Sequence, residues 1–337
     1  MTGKERIRTV LEGELPDRVP LFELCINPHF IEDHGNGIVY QAYEALGLDM
    51  AVIWPEVPQI TFDDSEECVD VFGRLFRRDR TPRTWGFNYV TGRLKTWDDL
   101  ERFTPRLDLE VFLPSPKVRR LIEERPDTAF AFAYNGPLEL TYEAMGIETF
   151  SVAVYEDPDL VRELLRRRTD LFLAVARHAV DLGVDCVFIG DDAAFKGSSF
   201  LSPAMFDEFV IPCYRRIVHA MSAPVLWHSD GLIEPLLPGI AEAGIAGVHP
   251  LEPAAGVDMG RVKQQFGDRL ILIGNVCCST VLTQPDLRRV RADVDRCMRE
   301  AKAGGNYILS SSNSLHAGVE VQVALEMYRY AREVGGY

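Results

Sequence analysis

An α/β fold closed into a single (β/α)8 barrel is the architecture that this chain predicts, on three observations. Eight short apolar runs recur along it: VPLFEL (19–24), DMAVIW (49–54), TAFAFAYN (128–135), DCVFIGDD (185–192), PVLWHSD (224–230), GIAGVHPL (244–251), LILIGNV (270–276) and NYILSSSN (306–313). From residue 128 onward these runs alternate with amphipathic helical patterns, and such alternation implies a parallel sheet. Most of the runs end in a polar or chemically capable residue, which is how a barrel of parallel strands assembles a site at one mouth. No G-x-G-x-x-G follows the first run, so an open dinucleotide-binding sheet is not expected.

The elements follow in order. Residues 3–12 form an amphipathic helix with Ile7, Val10 and Leu11 on one side. LPDRVP then turns the chain into the first strand, with Asp17 between Pro16 and Pro20 to close the turn. Residues 55–127 are less regular. Aromatic and β-branched residues around Gly73, Gly86 and Gly92 give them hairpin character, and we read them as an insertion over the barrel mouth. Beyond residue 128 the helical stretches are MGIETFSVAVYEDPDLVRELLRRRTDLFLAVARHAVDLG, SPAMFDEFVIPCYRRIVHAM, IEPLLPGIAEAG, MGRVKQQFG and QPDLRRVRADVDRCMREAKAGG. Each carries apolar residues at i, i+3, i+4 spacing, and most end on glycine. With 337 residues, 47% of them hydrophobic, the chain can bury one large core, and residues 1–337 are expected to form one domain.

Composition excludes several function classes. A net charge of −15 and a pI near 5.0 argue against nucleic acid as a partner, since phosphate binding needs basic patches. The seven cysteines are dispersed, without a CxxC, which suits a reducing cytoplasm better than a disulfide framework. The opening MTGKERIRTVLEGE is charged and amphipathic rather than a signal peptide. No apolar run approaches the ~20 residues of a membrane span, so no membrane partner is expected. A homodimer is left open.

The strongest local pattern is FIGDD (188–192), two acids directly after an apolar strand. Adjacent strand residues point to opposite faces, so only one of Asp191 and Asp192 can look along the barrel axis. Both are catalytic candidates; the bland alternative is that one caps a loop and the other binds backbone amides. WHSDG (227–231) places His228 and Asp230 on one face, as ligands or as a histidine oriented by a carboxylate. Asp192, Asp207 and His228 are separated by 14 and 20 residues. Two carboxylates and an imidazole make a zinc site with an open position, although an acid at Asp207, early in a helix, is also what the helix dipole favours. Further candidates for substrate contact are Glu23 with Asn27, Trp54 with Glu56, Tyr134 with Asn135, Lys196, and Asn313 with His316. Aromatic and amide groups at a barrel mouth suit an uncharged or aromatic organic substrate. His249, within HPLEP, orients a loop, and Cys277 and Cys278 read as buried thiols.

Six segments, in this order and spacing, carry a resemblance over nearly the whole chain: KERIRTVLEGELPDRVP, NGPLELTYEAMGIETF, GDDAAFKGSSFLSPAMFDEFVIP, WHSDG, HPLEPAAGVDM and GGNYILSSSNSLHAGV. The chain resembles the uroporphyrinogen decarboxylase superfamily, which implies a TIM-type barrel. It departs from the decarboxylases themselves: their arginine-rich loop after the first strand is replaced by ELCINPHF, and their catalytic aspartate after the second strand by VIWPEV. The other large branch comprises corrinoid-dependent methyltransferases. One set of these binds zinc through H-x-C and a later cysteine, and the matching positions here are His228, Asp230 and Asn313. The branch that demethylates methoxylated aromatics is similar to a pattern of acid, 14 residues, acid, 20 residues, histidine, which Asp192, Asp207 and His228 fit with aspartate in place of glutamate. The resemblance thus implies an O-demethylating methyltransferase that uses zinc, a small methoxylated substrate and a corrinoid carried by a partner protein. In that role His228, Asp192 and Asp191 are the expected catalytic residues. A decarboxylase or carbon–carbon lyase acting on a smaller carboxylic acid is the alternative, and a non-catalytic binding barrel a third.

Overall fold

A computed structural model describes residues 1–337 apart from 36–37, 56–64, 82–85, 104–114 and 116, and apart from the side chain of His34. Its centre is a seven-stranded parallel sheet. In chain order the strands are β1 (Met50–Ile53), β5 (Ala129–Asn135), β6 (Cys186–Gly190), β9 (Val225–His228), β10 (Gly247–His249), β11 (Ile271–Ile273) and β12 (Tyr307–Ile308), and they neighbour one another in that same order. The first predicted strand lies between the two edges of this sheet, with Leu21 bridged to Leu309 and Phe22 to Met50, both parallel. It pairs through single bridges rather than a ladder because Pro20 has no N–H and the Leu21 N–H donates to the Asp49 carboxylate at 2.8 Å. The wall is therefore continuous, in the pattern of a TIM-type barrel.

Strand alternation sorts every residue near the mouth. On β5 the alternate residues Ala133 and Asn135 line the interior cleft, while Tyr134 packs outward at 6.3 Å on Phe172 of helix Pro158–Leu182. On β6, Phe188 and Gly190 line the cleft. Phe188 stacks on Phe22 at 5.3 Å, and both meet the His249 ring edge-on, which closes the cleft floor. On β9, His228 faces in, and Trp227 points outward and donates to the Tyr214 hydroxyl at 3.1 Å.

Three helices follow β5, Pro137–Met145, Ile147–Glu156 and Pro158–Leu182, the last two within the stretch 145–183 predicted as one helical pattern. Asp157 breaks the last two apart: its carboxylate accepts the Leu160 N–H, and Pro158 occupies the first helical position. SPAMFDEFVIPCYRRIVHAM likewise splits into Pro203–Phe209 and Ile211–Ala220. The hairpin character before β5 corresponds to an antiparallel sheet of β2 (Glu67–Val69), β3 (Arg74–Arg78) and β4 (Phe87–Gly92), and a short antiparallel pair, β7 (Ala194–Phe195) and β8 (Ser198–Ser199), follows β6. The three-stranded sheet packs on helix Pro137–Met145 through an Arg74–Glu143 ion pair at 2.8 Å and the Tyr89 hydroxyl, which donates to the Glu143 carbonyl. None of the described helices is long and apolar enough to cross a membrane.

Candidate active site

Interior-facing residues at the strand ends bring three donors together. Asp192, His228 and Asp230 each offer an atom within 4.8 Å of the others. His228 Nε2 lies 3.7 Å from Asp192 Oδ1 and 3.9 Å from Asp230 Oδ1. The opposite ring nitrogen, Nδ1, is 2.7 Å from His249 Nδ1, so one of the two donates and Nε2 of His228 is left to face the carboxylates. The Asp230 N–H donates to Asp192 Oδ1 at 2.9 Å, and Asn313 Nδ2 donates to Asp230 Oδ2. Asp230 Oδ1 and His249 Nε2 are buried without a hydrogen-bond partner among the described residues. An acceptor oxygen enclosed in this way is costly unless a cation or proton meets it.

The electrostatics agree with a donor set suited to a cation. Burial, with Asp192 and Glu252 nearby, pushes the Asp230 carboxyl up to about 8. Desolvation lowers His228 against the pull of Asp192, and lowers His249 further because His228 adds to it. A metal cation at His228 Nε2, Asp192 and Asp230 would reverse both effects. The donor set, one imidazole and two carboxylates, is one that zinc accepts.

A cleft of about 260 Å³ opens beside these groups. Asn135, Asp192, His228, Asn313 and Trp54 line it, with Trp54 42% exposed at its edge. Two titratable residues of its lining were not foreseen. Glu139 enters from the first turn of helix Pro137–Met145, and Cys25 from just beyond the first strand segment. The Glu139 carboxyl is held well above its usual range by desolvation and by the neighbouring Asp192, Glu143 and Asp191. Burial pushes the Cys25 thiol up to about 12, so it stands as a thiol and not a thiolate.

Several expected site residues do other work. Asp191 is fully buried and faces away from the cleft. Its carboxylate accepts from the Leu138 N–H at 3.0 Å, the Glu139 N–H at 2.5 Å and the Tyr214 hydroxyl at 2.7 Å. It caps helix Pro137–Met145, whose own cap residue, Gly136, has no side chain; a Cβ there would lie 2.2 Å from Asp191 Cγ. Burial pushes its carboxyl up to about 7 against those three donors. Asp207 is exposed, with Oδ1 2.3 Å from where a Cβ on Gly239 would stand, and it does not join the three-residue cluster. Phe206 and Phe209 take the buried face of its helix and turn Asp207 away. Asp230 stands in its place.

Glu23 is fully enclosed, accepting from the Ser311 hydroxyl at 2.9 Å and the Tyr328 hydroxyl at 2.6 Å, and burial pushes it up to about 8. Asn27 is buried and accepts the His29 N–H at the start of helix Pro28–Gly35. Tyr134 faces the helices, as strand alternation requires when Asn135 faces the cleft. His316 ties a turn by accepting the Gly318 N–H and meeting the Cys278 carbonyl at 3.3 Å. Lys196 is exposed, Cys277 and Cys278 are buried thiols, and Glu56 lies outside the described residues.

A family model for uroporphyrinogen decarboxylase (URO-D) matches residues 88–334. The chain belongs to the URO-D family. Among URO-D-like relatives, it is 23% identical to the methylcobamide:CoM methyltransferase MtaA of Methanosarcina barkeri over 92% of this chain and 91% of that protein. It is 27% identical to a methylated-thiol–coenzyme M methyltransferase of Methanosarcina mazei over 64% of this chain and 56% of that one. A uroporphyrinogen decarboxylase of Saccharophagus degradans is 23% identical over 92% of this chain and 85% of the relative. The solved structure of a methyltransferase from Methanosarcina mazei shares the fold seen here, with a TM-score of 0.76, 18% identity and 99% of each chain covered.

Proposed function

We propose that this protein is a methyltransferase that removes the methyl group of a small methoxylated donor, aromatic in class, and passes it to the cobalt of a corrinoid carried by a partner protein. The observation that carries the reading is the oxygen- and nitrogen-donor cluster of Asp192, His228 and Asp230 at the inner wall of a ring-sized cleft. Methyltransferases named for cobamide and coenzyme M among the relatives support the reaction class.

The methyl–oxygen bond breaks with the bonding pair left on oxygen, the Co(I) corrinoid of the partner protein, as second substrate, supplies the electron pair that takes up the methyl group, and a proton then completes the phenol. Zinc bound at the cluster would supply a Lewis acid for the leaving oxygen. Asp192 and Asp230 would hold it, and His228 would bind it through Nε2 while His249 fixes the ring from Nδ1. Asn313 orients Asp230, and Trp54 with Phe188 offers the ring faces against which an arene lies. The cleft excludes bulk water and aligns the carbon–oxygen bond for in-line displacement.

The test is zinc analysis of the purified protein together with methyl transfer from methoxyarenes to a reduced corrinoid protein. Absence of transfer from every methyl ether offered would overturn the reading. The relatives named uroporphyrinogen decarboxylase favour a second one, a decarboxylase or other carbon–carbon lyase acting on a smaller acid. Carbon dioxide release without corrinoid would mark it.

A further inference from the structure

One glycine of the cleft wall is not required by the fold. Gly190 lines the cleft at the end of β6, and the strand register sets it in one row with Asn135 of β5 and His228 of β9. The ladder passes through it without a bulge on either side. Its carbonyl accepts the Gly136 N–H at 2.6 Å, and the next amide, of Asp191, donates to the His228 carbonyl at 2.9 Å. Its φ lies outside the left-handed region, so an L side chain can stand there. Among the described residues, a Cβ built on it meets nothing nearer than the Tyr134 carbonyl oxygen at 3.4 Å, an ordinary contact. The neighbouring glycines differ: at Gly136 and Gly231 a Cβ would come within 2.2 and 2.6 Å of protein atoms. Glycine weakens a strand, and where neither bulge, turn nor packing calls for it, it marks a place where a ligand approaches the backbone. Beside it the half-buried Asn135 amide opens on the cleft and makes no hydrogen bond with its side chain among the described residues.

Resting on the methyl ether reading, we propose that Gly190 and Asn135 determine which donors fit: the ring of the donor lies over Gly190, and the Asn135 amide hydrogen-bonds a polar substituent at the side of the ring away from His228. Neighbouring strands lie about 4.8 Å apart, which sets Asn135 and His228 about 10 Å apart at their Cα atoms, with Gly190 between them. Both side chains face the interior of a closed wall, so they converge on the space that Gly190 leaves open. A single ring placed there presents its ether oxygen to the His228 side and its far substituent to Asn135. The amide both donates and accepts, so it can pair with a hydroxyl in either sense. Left without such a partner on binding, it would be desolvated unpaired, which is what makes it selective.

The experiment compares the wild type with Gly190→Ala and Asn135→Leu as zinc-loaded full chains. Calorimetry measures the binding of anisole and of 2-, 3- and 4-methoxyphenol, thermal unfolding without ligand measures stability, and methyl transfer to reduced corrinoid protein is followed in parallel. At least one methoxyphenol should bind the wild type about tenfold or more tightly than anisole, and Asn135→Leu should bring that isomer within about threefold of anisole. Gly190→Ala should weaken both anisole and that isomer about tenfold or more, while its Tm stays level or rises. A fallen Tm in Gly190→Ala would make the glycine structural, and unchanged binding would leave nothing lying over it; either result overturns its assignment. No methoxyphenol preferred over anisole, or a preference that survives Asn135→Leu, overturns the role of Asn135. Any of these results together with transfer from a methyl ether leaves the methyl ether reading standing. The expected binding pattern with no transfer from any methyl ether keeps both contacts and sinks that reading.

Discussion

Replacing Asp191 separates a structural from a chemical role for the more deeply buried of two adjacent acids. Asp191→Ala removes the acceptor for three donors in a site without solvent: the Leu138 and Glu139 N–H groups and the Tyr214 hydroxyl. Each buried donor left unmade costs about 1–3 kcal/mol, less whatever relaxation or water recovers. The loss of a carboxylate at a helix N-terminus is contained in the same bonds. About 3–5 kcal/mol in total is the expected destabilisation. At about 2 °C per kcal/mol, the lower end for large domains, this is a fall in Tm of about 6–10 °C. Asp191→Asn keeps one oxygen, which can serve Leu138 and Tyr214, and turns an amide donor toward the Glu139 N–H. It should lose about 1–3 kcal/mol, or about 2–6 °C. Differential scanning calorimetry reads both, and zinc content reports whether the cleft survives in the folded fraction. A wild-type Tm for Asp191→Ala combined with lost methyl transfer would refute this assignment and return Asp191 to the chemistry.

Three other outcomes follow from the geometry. His228→Ala and Asp230→Ala should each remove most of the bound zinc, His249→Ala should weaken it about 10–100-fold through loss of the ring's outer partner, and Asp207→Ala should leave it unchanged; metal analysis after dialysis decides, and zinc loss in Asp207→Ala would restore the spacing-based ligand set. The Glu23 carboxyl, raised by burial to about 8, lies above its unfolded value, so its contribution is present below about pH 4.5 and is lost as pH rises through 8. Between pH 5 and 9 the wild type should therefore lose a few kcal/mol more than Glu23→Gln, as urea midpoints will show; parallel slopes would count against it. Asp49 accepts from Arg6 at 2.8 Å, from Arg18 at 2.8 and 2.9 Å and from the Leu21 N–H, tying the first segment to the sheet edge, so Asp49→Ala should cost about 3–5 kcal/mol by stranding buried charge, measured by thermal unfolding.

The barrel was legible because its signal repeats. Seven of the eight apolar runs are strands of one parallel sheet, and the eighth, 19–24, bridges its edges. What could not be read was where a long amphipathic stretch breaks. MGIETFSVAVYEDPDLVRELL keeps its periodicity across Asp157, and only the cap and Pro158 divide it. Within the site, alternation was sufficient wherever it was applied. It allowed one of Asp191 and Asp192 to face the axis, and Asp192 does. Applied equally to Tyr134 and Asn135 it would have kept only the amide. Asp207 fails for a related reason, since Phe206 and Phe209 already claim the buried face of its helix. Glu139 was hidden because an acid inside NGPLELTYEAM looks like an ordinary first-turn glutamate until the Gly-Pro after Asn135 is seen to start the helix at the strand end.

The cluster's chemistry bears on the kind of leaving group it can serve. By the resemblance drawn from the sequence, the positions that would match the imidazole and two thiolates of a thiol-activating zinc site are His228, Asp230 and Asn313. They do converge here: His228 faces Asp230, and the Asn313 amide donates to it. Two of the three have changed character. An amide nitrogen that donates to a carboxylate does not ligate a metal, so a third ligand would have to come from elsewhere, and Asp192, just past the end of the neighbouring strand β6, stands 3.7 Å from the same imidazole nitrogen. On that match, Asp230 and Asn313 stand where the resemblance implies thiolates, Asn313 orients Asp230, and Asp192 lies just past the end of β6. A metal held by oxygen and imidazole keeps more of its Lewis acidity than one held by thiolates, whose negative charge and softness quench it. Greater Lewis acidity is what an alkoxide or phenolate leaving group requires and a thiolate leaving group does not. The predicted consequence is that restoring thiolates by Asp230→Cys with Asn313→Cys would tighten zinc while slowing demethylation of ethers. Tighter zinc together with undiminished ether turnover would separate ligand hardness from leaving-group choice and break the link drawn between them.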